Sequence, residues 1–392
     1  MNLVWVALGI ALLSFGLGER LTRLARVVSP RFGFVDKPGG RKAHKAPTPL
    51  GGGVAIWLST ILVLSMGAVV LRLGAAWLPD DLVKHVGGLW ERGPMLGLIL
   101  ALASVIMVMG LIDDRIGLGW KLRIGVQTAL AIVLAASGVR ISLFGPFHSP
   151  ILTGALTVFW IVGLTNAFNF LDNMDGLAAG VGLIAALLFA IAQAEVGSLF
   201  VPAVFLVLAG TLAGFLVHNS FPAKIFMGDA GSNFLGFLLG TLTVVGTFTR
   251  PELGFSPYAV LAPLLVMAVP LYDTTSVVLI RLREGRSPFQ ADRRHLSHRL
   301  VDGGLTQPQS VRTIYLITLA GGLGALVLPS LNTSGAVVVL AQTACLLGIV
   351  AILEASTVSK GALAPPASSQ SVFNPLEDRD GEASTAPESA EV

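Results

Sequence analysis

Three acidic stretches interrupt a chain otherwise rich in aliphatic residues: Asp113-Asp114, the series Asn166, Asn169, Asp172 and Asp175, and Gly228-Asp229-Ala230-Gly231-Ser232. Adjacent carboxylates repel unless a cation lies beside them. A divalent metal relieves that repulsion, or one acid acts as a base. Spacing by three aligns Asn166, Asn169, Asp172 and Asp175 on one helical face. A stripe of amides and acids at a membrane boundary is costly without a ligand. Bonding between helices explains the asparagines but not the two acids. Gly-Asp-Ala-Gly-Ser forms a tight turn whose amides open the next helix and attract anions, with Asp229 placed as a metal ligand. An N-capping Asp has the same local appearance.

Basic residues accompany these acids. Arg41, His44 and Thr48 lie in the Pro/Gly-framed run from Asp36 to Gly53, and cations in such a frame suit phosphate oxygens. Lys121 and Gln127 open the stretch after Asp113-Asp114 and are placed to hold a phosphate, although a lone Lys also serves as an interfacial anchor. His295-x-x-His298-Arg299 lies among arginines. Zinc calls for three or four strong ligands, and no cysteine is near. Oxygen ligands elsewhere point to Mg²⁺, with Mn²⁺ as its substitute, and leave the histidines as anion-binding groups. Asp273, inside an apolar run, is expected to pair with a neighbouring polar group.

The elements that position these groups are membrane helices. Of 392 residues, 54% are hydrophobic and 12% charged, against about 25% charged in a soluble domain. A bilayer needs about 20 apolar residues per helix. That ruler gives eleven spans, near 2–18, 50–73, 94–112, 124–142, 151–167, 177–195, 199–217, 233–249, 257–280, 310–329 and 335–355. The first reads as a retained span, not a cleaved leader. Placing residues 19–49 in the cytoplasm puts all but Arg72, Lys84, Arg92, Arg140 and Arg250 of the Lys and Arg residues on the cytoplasmic side. The positive-inside rule then sets the N-terminus outside and the C-terminus inside. The expected fold is all-α and polytopic, with a transmembrane domain over 1–355. Residues 356–392, rich in Pro, Ser, Ala and acids, are expected to form a disordered cytoplasmic tail.

Pro47-Thr48-Pro49 with Gly51-Gly52, Asp113-Asp114, Asn166-x-x-Asn169-x-x-Asp172-x-x-Asp175-Gly176, Met227-Gly228-Asp229-Ala230-Gly231-Ser232 and His295-x-x-His298-Arg299 occur in an order that resembles the polyprenyl-phosphate N-acetylhexosamine-1-phosphate transferases, the glycosyltransferase 4 family. The likeness spans nearly all of 1–355 and is greatest to the WecA/TagO branch. It implies transfer of a sugar-1-phosphate, most simply N-acetylglucosamine-1-phosphate, from a UDP-sugar to a polyprenyl phosphate, with release of UMP. It also implies Mg²⁺ and an active site on the cytoplasmic face of the inner membrane. In that scheme Asp113, with Asp114 beside it, activates the acceptor phosphate as base or as nucleophile. Asp229, Asp172 and Asp175 meet the metal. His295, His298 and Arg299 bind the donor. The partners are then the UDP-sugar, the lipid phosphate and the bilayer. A homodimer is compatible with this scheme, and no nucleic acid is expected.

Two positions depart from the family pattern. Asn173 replaces a glycine between Asp172 and Asp175, and Ser297 stands where relatives often carry a histidine. The run of three adjacent histidines that marks muramyl-pentapeptide enzymes is absent. The rival class is an ion- or proton-coupled transporter. It predicts polar residues near the middle of several spans and internal symmetry. Here the acids gather at span ends, and no repeat is visible. A weaker rival is a membrane scaffold that uses its acidic tail.

Overall fold

A computed structural model describes residues 3–36, 47–73, 80–141, 149–288 and 294–363. The chain is helical almost throughout: α1 (Leu3–Val28), α2 (Gly52–Leu73), α3 (Asp80–Ile116), α4 (Trp120–Ala136), α5 (Pro150–Leu171), α6 (Leu177–Glu195), α7 (Phe200–Asn219), α8 (Gly228–Val245), α9 (Ala262–Val266), α10 (Ala268–Arg283), α11 (Leu296–Asp302), α12 (Gln307–Val327) and α13 (Thr333–Leu363). One antiparallel pair, β1 (Val35–Asp36) and β2 (Thr48–Pro49), lies between α1 and α2.

Among the described residues, eight helices are long and apolar enough to cross a membrane, or nine if the pair Pro257–Val266 and Ala268–Arg283, bent by 60°, counts as one span. The protein is therefore a polytopic all-α membrane protein. Two of the eleven expected spans fall outside this set for separate reasons. α4 has 17 residues, about 25 Å at 1.5 Å per residue. α8 opens on polar residues and is the central helix: every residue from Ala230 to Thr243 is buried. A helix enclosed by other helices need not be greasy, and its small residues allow close packing. A Cβ on Gly236 would lie 2.7 Å from the backbone of Leu164 and Thr165, so α5 and α8 touch there backbone to backbone.

Several expected boundaries shift. α1 continues past residue 18 to carry Arg20, Arg23 and Arg26. α3 extends through Asp113 and Asp114, which lie in its last turns and not beyond them. α13 runs to Leu363, so the expected domain boundary at 355/356 falls within a helix. Residues 364–392 of the expected tail lie outside the described residues.

Candidate active site

The C-terminal ends of α3 and α5 meet the N-terminal ends of α4 and α8. The first amides of a helix have no partner within it. Asp114 supplies one from another helix. The Asp229 N–H donates to its Oδ1 at 2.7 Å and the Ala230 N–H to its Oδ2 at 3.1 Å. The carboxylate also sits at the positive end of the α8 dipole. Gly228, at φ +69°, is needed for this approach, because a Cβ there would be 2.6 Å from Asp114 Oδ2. Asp114 therefore caps α8 and anchors the turn that presents Asp229.

Asp113 is buried. It accepts from the Leu118 N–H at 2.5 Å and pairs through Oδ2 with Arg123 Nη1 at 2.7 Å. The same Nη1 lies 3.6 Å from Asp229 Oδ2. Arg123, not Lys121, is thus the cation that α4 brings to the acids. Sequence reading missed it because a cation near the start of a span also satisfies topology. Lys121 is exposed, with Nζ 5.7 Å from the Trp120 ring centre, as an interfacial anchor would be. Asn169 Nδ2 donates to Asp229 Oδ1 at 2.6 Å and to Ser232 Oγ at 3.1 Å.

Asn166, Gln127 and Asn233 form a directed amide chain. Asn166 Nδ2 donates to Gln127 Oε1 at 2.6 Å, Gln127 Nε2 to Asn233 Oδ1 at 3.1 Å, and Asn233 Nδ2 to the Asp229 carbonyl at 2.7 Å. Gln127 is buried in this chain, which corrects its reading as a phosphate ligand. The expected four-residue stripe is also corrected. α5 ends at Leu171, so only Asn166 and Asn169 share a helical face. Asp172 is the C-cap, and Asp175 lies in the following turn, where its Oδ2 accepts from the Ala223 N–H at 2.9 Å.

Burial, reinforced by the carboxylates of Asp229, Asp114 and Asp175, pushes Asp172 up to about 8. This crowding of hard oxygen donors with surplus negative charge suits Mg²⁺ or Mn²⁺. Asp172 and Asp229 are the groups that could hold such an ion. Asp175 and Asp114 are engaged with backbone amides, and no three His, Cys, Asp or Glu groups among the described residues already form a cage. An unfolded Asp ionises near 3.9. A folded-state value raised to about 8 means that the native state holds a proton the unfolded chain has released. Stability then falls as pH rises from about 4 to about 8. In detergent without divalent ions, the Tm should drop across that window and Asp172→Asn should flatten the slope. An unchanged slope in Asp172→Asn would refute the assignment.

α11 lies beside the acidic turn. His295 is buried, its Nδ1 2.9 Å from Asp273 Oδ2, and the Leu296 N–H donates to Asp273 Oδ1 at 2.6 Å. The polar partner expected for Asp273 is thus His295. His298 follows one turn later and is half-buried. Arg299 turns elsewhere: its Nη2 donates to Ser276 Oγ at 2.7 Å, and its Nη1 lies 3.3 Å from Glu354 Oε2. This guanidinium links α11 to α10 and α13. Thr48 is buried in β2, opposite Asp36 of β1. Its neighbours dock the start of α2 on the turn before α8: the Gly52 and Gly53 N–H groups donate to the carbonyls of Phe226 and Met227 at 3.0 and 2.9 Å. Arg41 and His44 lie outside the described residues.

An apolar groove of about 860 Å³ runs between α4, α5 and α10. Asn166, Phe170 and Pro288 line it near the acidic cluster, and Arg140 and Pro150 line it towards the other ends of α4 and α5.

The model of "Glycosyl transferase family 4" matches residues 96–247. That segment holds α4, α5 and the acids from Asp113 to Asp229. A Bacillus subtilis protein named as a probable undecaprenyl-phosphate N-acetylglucosaminyl 1-phosphate transferase is 31% identical over 316 residues, 79% of this chain and 81% of its own length. The chain belongs to glycosyl transferase family 4. Among other family members, a Mycolicibacterium smegmatis decaprenyl-phosphate N-acetylglucosaminephosphotransferase is 38% identical over 75% of each chain. An Escherichia coli K12 undecaprenyl-phosphate alpha-N-acetylglucosaminyl 1-phosphate transferase is 30% identical over 76% of this chain and 77% of its own. In the present chain the two departures from the family pattern, Asn173 and Ser297, meet. Ser297 Oγ donates to Asn173 Oδ1 at 2.5 Å, tying α11 to the acidic turn.

Proposed function

We propose that this family 4 transferase moves N-acetylglucosamine-1-phosphate from its UDP-sugar to a polyprenyl phosphate. The observation that carries this reading is the apolar groove ending at the acidic cluster. A long hydrocarbon acceptor needs a channel open to lipid, and its phosphate must stop where charge is managed. Arg123 immediately precedes Ile124 of the groove wall and faces Asp113 and Asp229. It is placed to receive the acceptor phosphate, while Asp113 fixes its direction. The acceptor oxygen bonds to the sugar-bearing phosphorus, and the bond from that phosphorus to the bridging oxygen breaks. UMP leaves, and a polyprenyl diphosphate sugar is formed. Mg²⁺ held by Asp172 and Asp229 would supply positive charge for the diphosphate. His295 and His298 of α11 form the donor side.

Eleven spans are taken to cross the bilayer, α9 and α10 together forming one and α11 crossing none, with the N-terminus outside and the C-terminus in the cytoplasm. Charge asymmetry supports this. So does the shared end at which α3, α5 and α10 finish and α4 and α8 begin. The site then faces the cytoplasm, where UDP-sugars are found. The reading is tested by incubating purified protein with UDP-N-acetylglucosamine and Mg²⁺. UMP should appear only when polyprenyl phosphate is added. Release of UMP without the lipid, or none with it, would refute the reading.

A further inference from the structure

We infer that Glu354, on the last membrane helix, is a positioning residue for the donor side of the site. It lies in α13, about a hundred residues beyond the segment matched by the family model. Its carboxylate is 6% exposed. Glu354 Oε2 accepts from the Tyr272 hydroxyl at 2.9 Å and faces Arg299 Nη1 at 3.3 Å, the guanidinium itself being 13% exposed.

The placement of these bonds along α11 is what matters. Its first half is fixed from three directions. Asp273 holds His295 and the Leu296 amide, Asn173 takes the Ser297 hydroxyl, and Ser310 Oγ donates to the Ser297 carbonyl at 2.9 Å. Its second half is tethered through Arg299 to Ser276 on α10 and Glu354 on α13. His298 lies between these halves. Seven residues make fewer than two turns, so such a helix cannot hold its own direction against the site. α13 therefore supplies the carboxylate that fixes the angle at which α11 presents His298. Glu354 touches no substrate and acts through Arg299.

A buried ion pair that merely glues helices together would affect stability alone. The inference rests on α11 being the donor side, so the test has one readout that needs no turnover. In the full-length protein, Glu354→Gln should speed amide hydrogen exchange across 298–302 while leaving exchange in α5 and α8 unchanged. In the transferase assay it should raise the KM for UDP-N-acetylglucosamine roughly ten-fold or more, as expected for an uncompensated buried guanidinium. The acceptor KM should stay within about two-fold. Glu354→Asp should recover part of the donor KM. Arg299→Gln should match Glu354→Gln, and the double variant should be no worse than the poorer single one, because partners in one interaction are not additive. Parental exchange and parental donor KM in Glu354→Gln would overturn the inference, as would additive effects in the double variant. A uniform rise in exchange with equal loss of both substrates would also overturn it, showing glue alone. If the parent shows no turnover with this donor, the proposed reaction fails, and the exchange pattern still decides the tether.

Discussion

Asp229→Asn should lower turnover by about 10³-fold and Asp113→Asn by about 10²-fold, the cost of a misplaced group, and the two should answer differently to Mg²⁺. Asp229 has one oxygen on Asn169 and the other 3.6 Å from Arg123. As a metal ligand, it loses charge and affinity on amidation, so raised Mg²⁺ should recover part of the rate. Asp113 is committed to the Leu118 amide and to Arg123. A lipid phosphate has a second pKa near 6 and is mostly dianionic at neutral pH, which leaves little proton to remove. The loss in Asp113→Asn then arises from a misdirected Arg123, and no Mg²⁺ concentration should repair it. Arg123→Gln should reproduce it. The measurement is a Mg²⁺ titration of initial rates for each purified variant. Near-parental activity of Asp113→Asn at every concentration would refute the assignment.

Filling the groove should be nearly as damaging, and selective. Gly154 lines it about 18 Å from Asn166 along α5, and a Cβ built there meets nothing within 4 Å. Because a Cβ there clashes with nothing, a tryptophan at this position is expected to occupy the groove. Displacing one five-carbon unit from the wall forfeits roughly 2–4 kcal/mol at about 0.8 kcal/mol per buried CH₂. Gly154→Trp should therefore raise the KM for a long-chain acceptor about 10²-fold. A two-isoprenoid acceptor phosphate, too short to reach past the head of the groove, should be affected only a few-fold. The KM for the UDP-sugar should not move. Equal losses for long and short acceptors would show that the groove is not where the chain lies.

Much of this site was readable from charge alone. Asp113-Asp114 after an apolar run and Asp229 after a glycine are costly at a membrane boundary, and both converge on the centre. Roles within the cluster were less legible. In sequence Asp114 looks like a catalytic partner of Asp113 and Asp175 like a metal ligand, yet each accepts from backbone amides, at 115 and 48 residues' separation. Nothing local encodes such pairing. Spacing by three misled at Asp175 because helical periodicity ends with the helix, at Leu171. Arg299 read as a phosphate grip because its partner, Glu354, lies within a distant apolar run. α8 looked like an ordinary span by its apolar second half, but its polar first turn is tolerated because other helices enclose it.

The bond from Asp114 to the Asp229 amide has a consequence for biosynthesis. Translation runs at roughly 5–20 residues per second. With 115 residues between the partners, α3 is made about 6–23 s before the helix it caps. In the orientation proposed above, the Asp113 and Asp114 side chains stay hydrated at the cytoplasmic rim during that interval and never traverse hydrocarbon. The nascent protein is chemically silent until α8 inserts, because Asp229 and the amides that order Asp114 arrive together. A chain stalled earlier lacks Asp229 and the amides that hold Asp114, and it is expected neither to hydrolyse nucleotide sugars nor to trap lipid carriers.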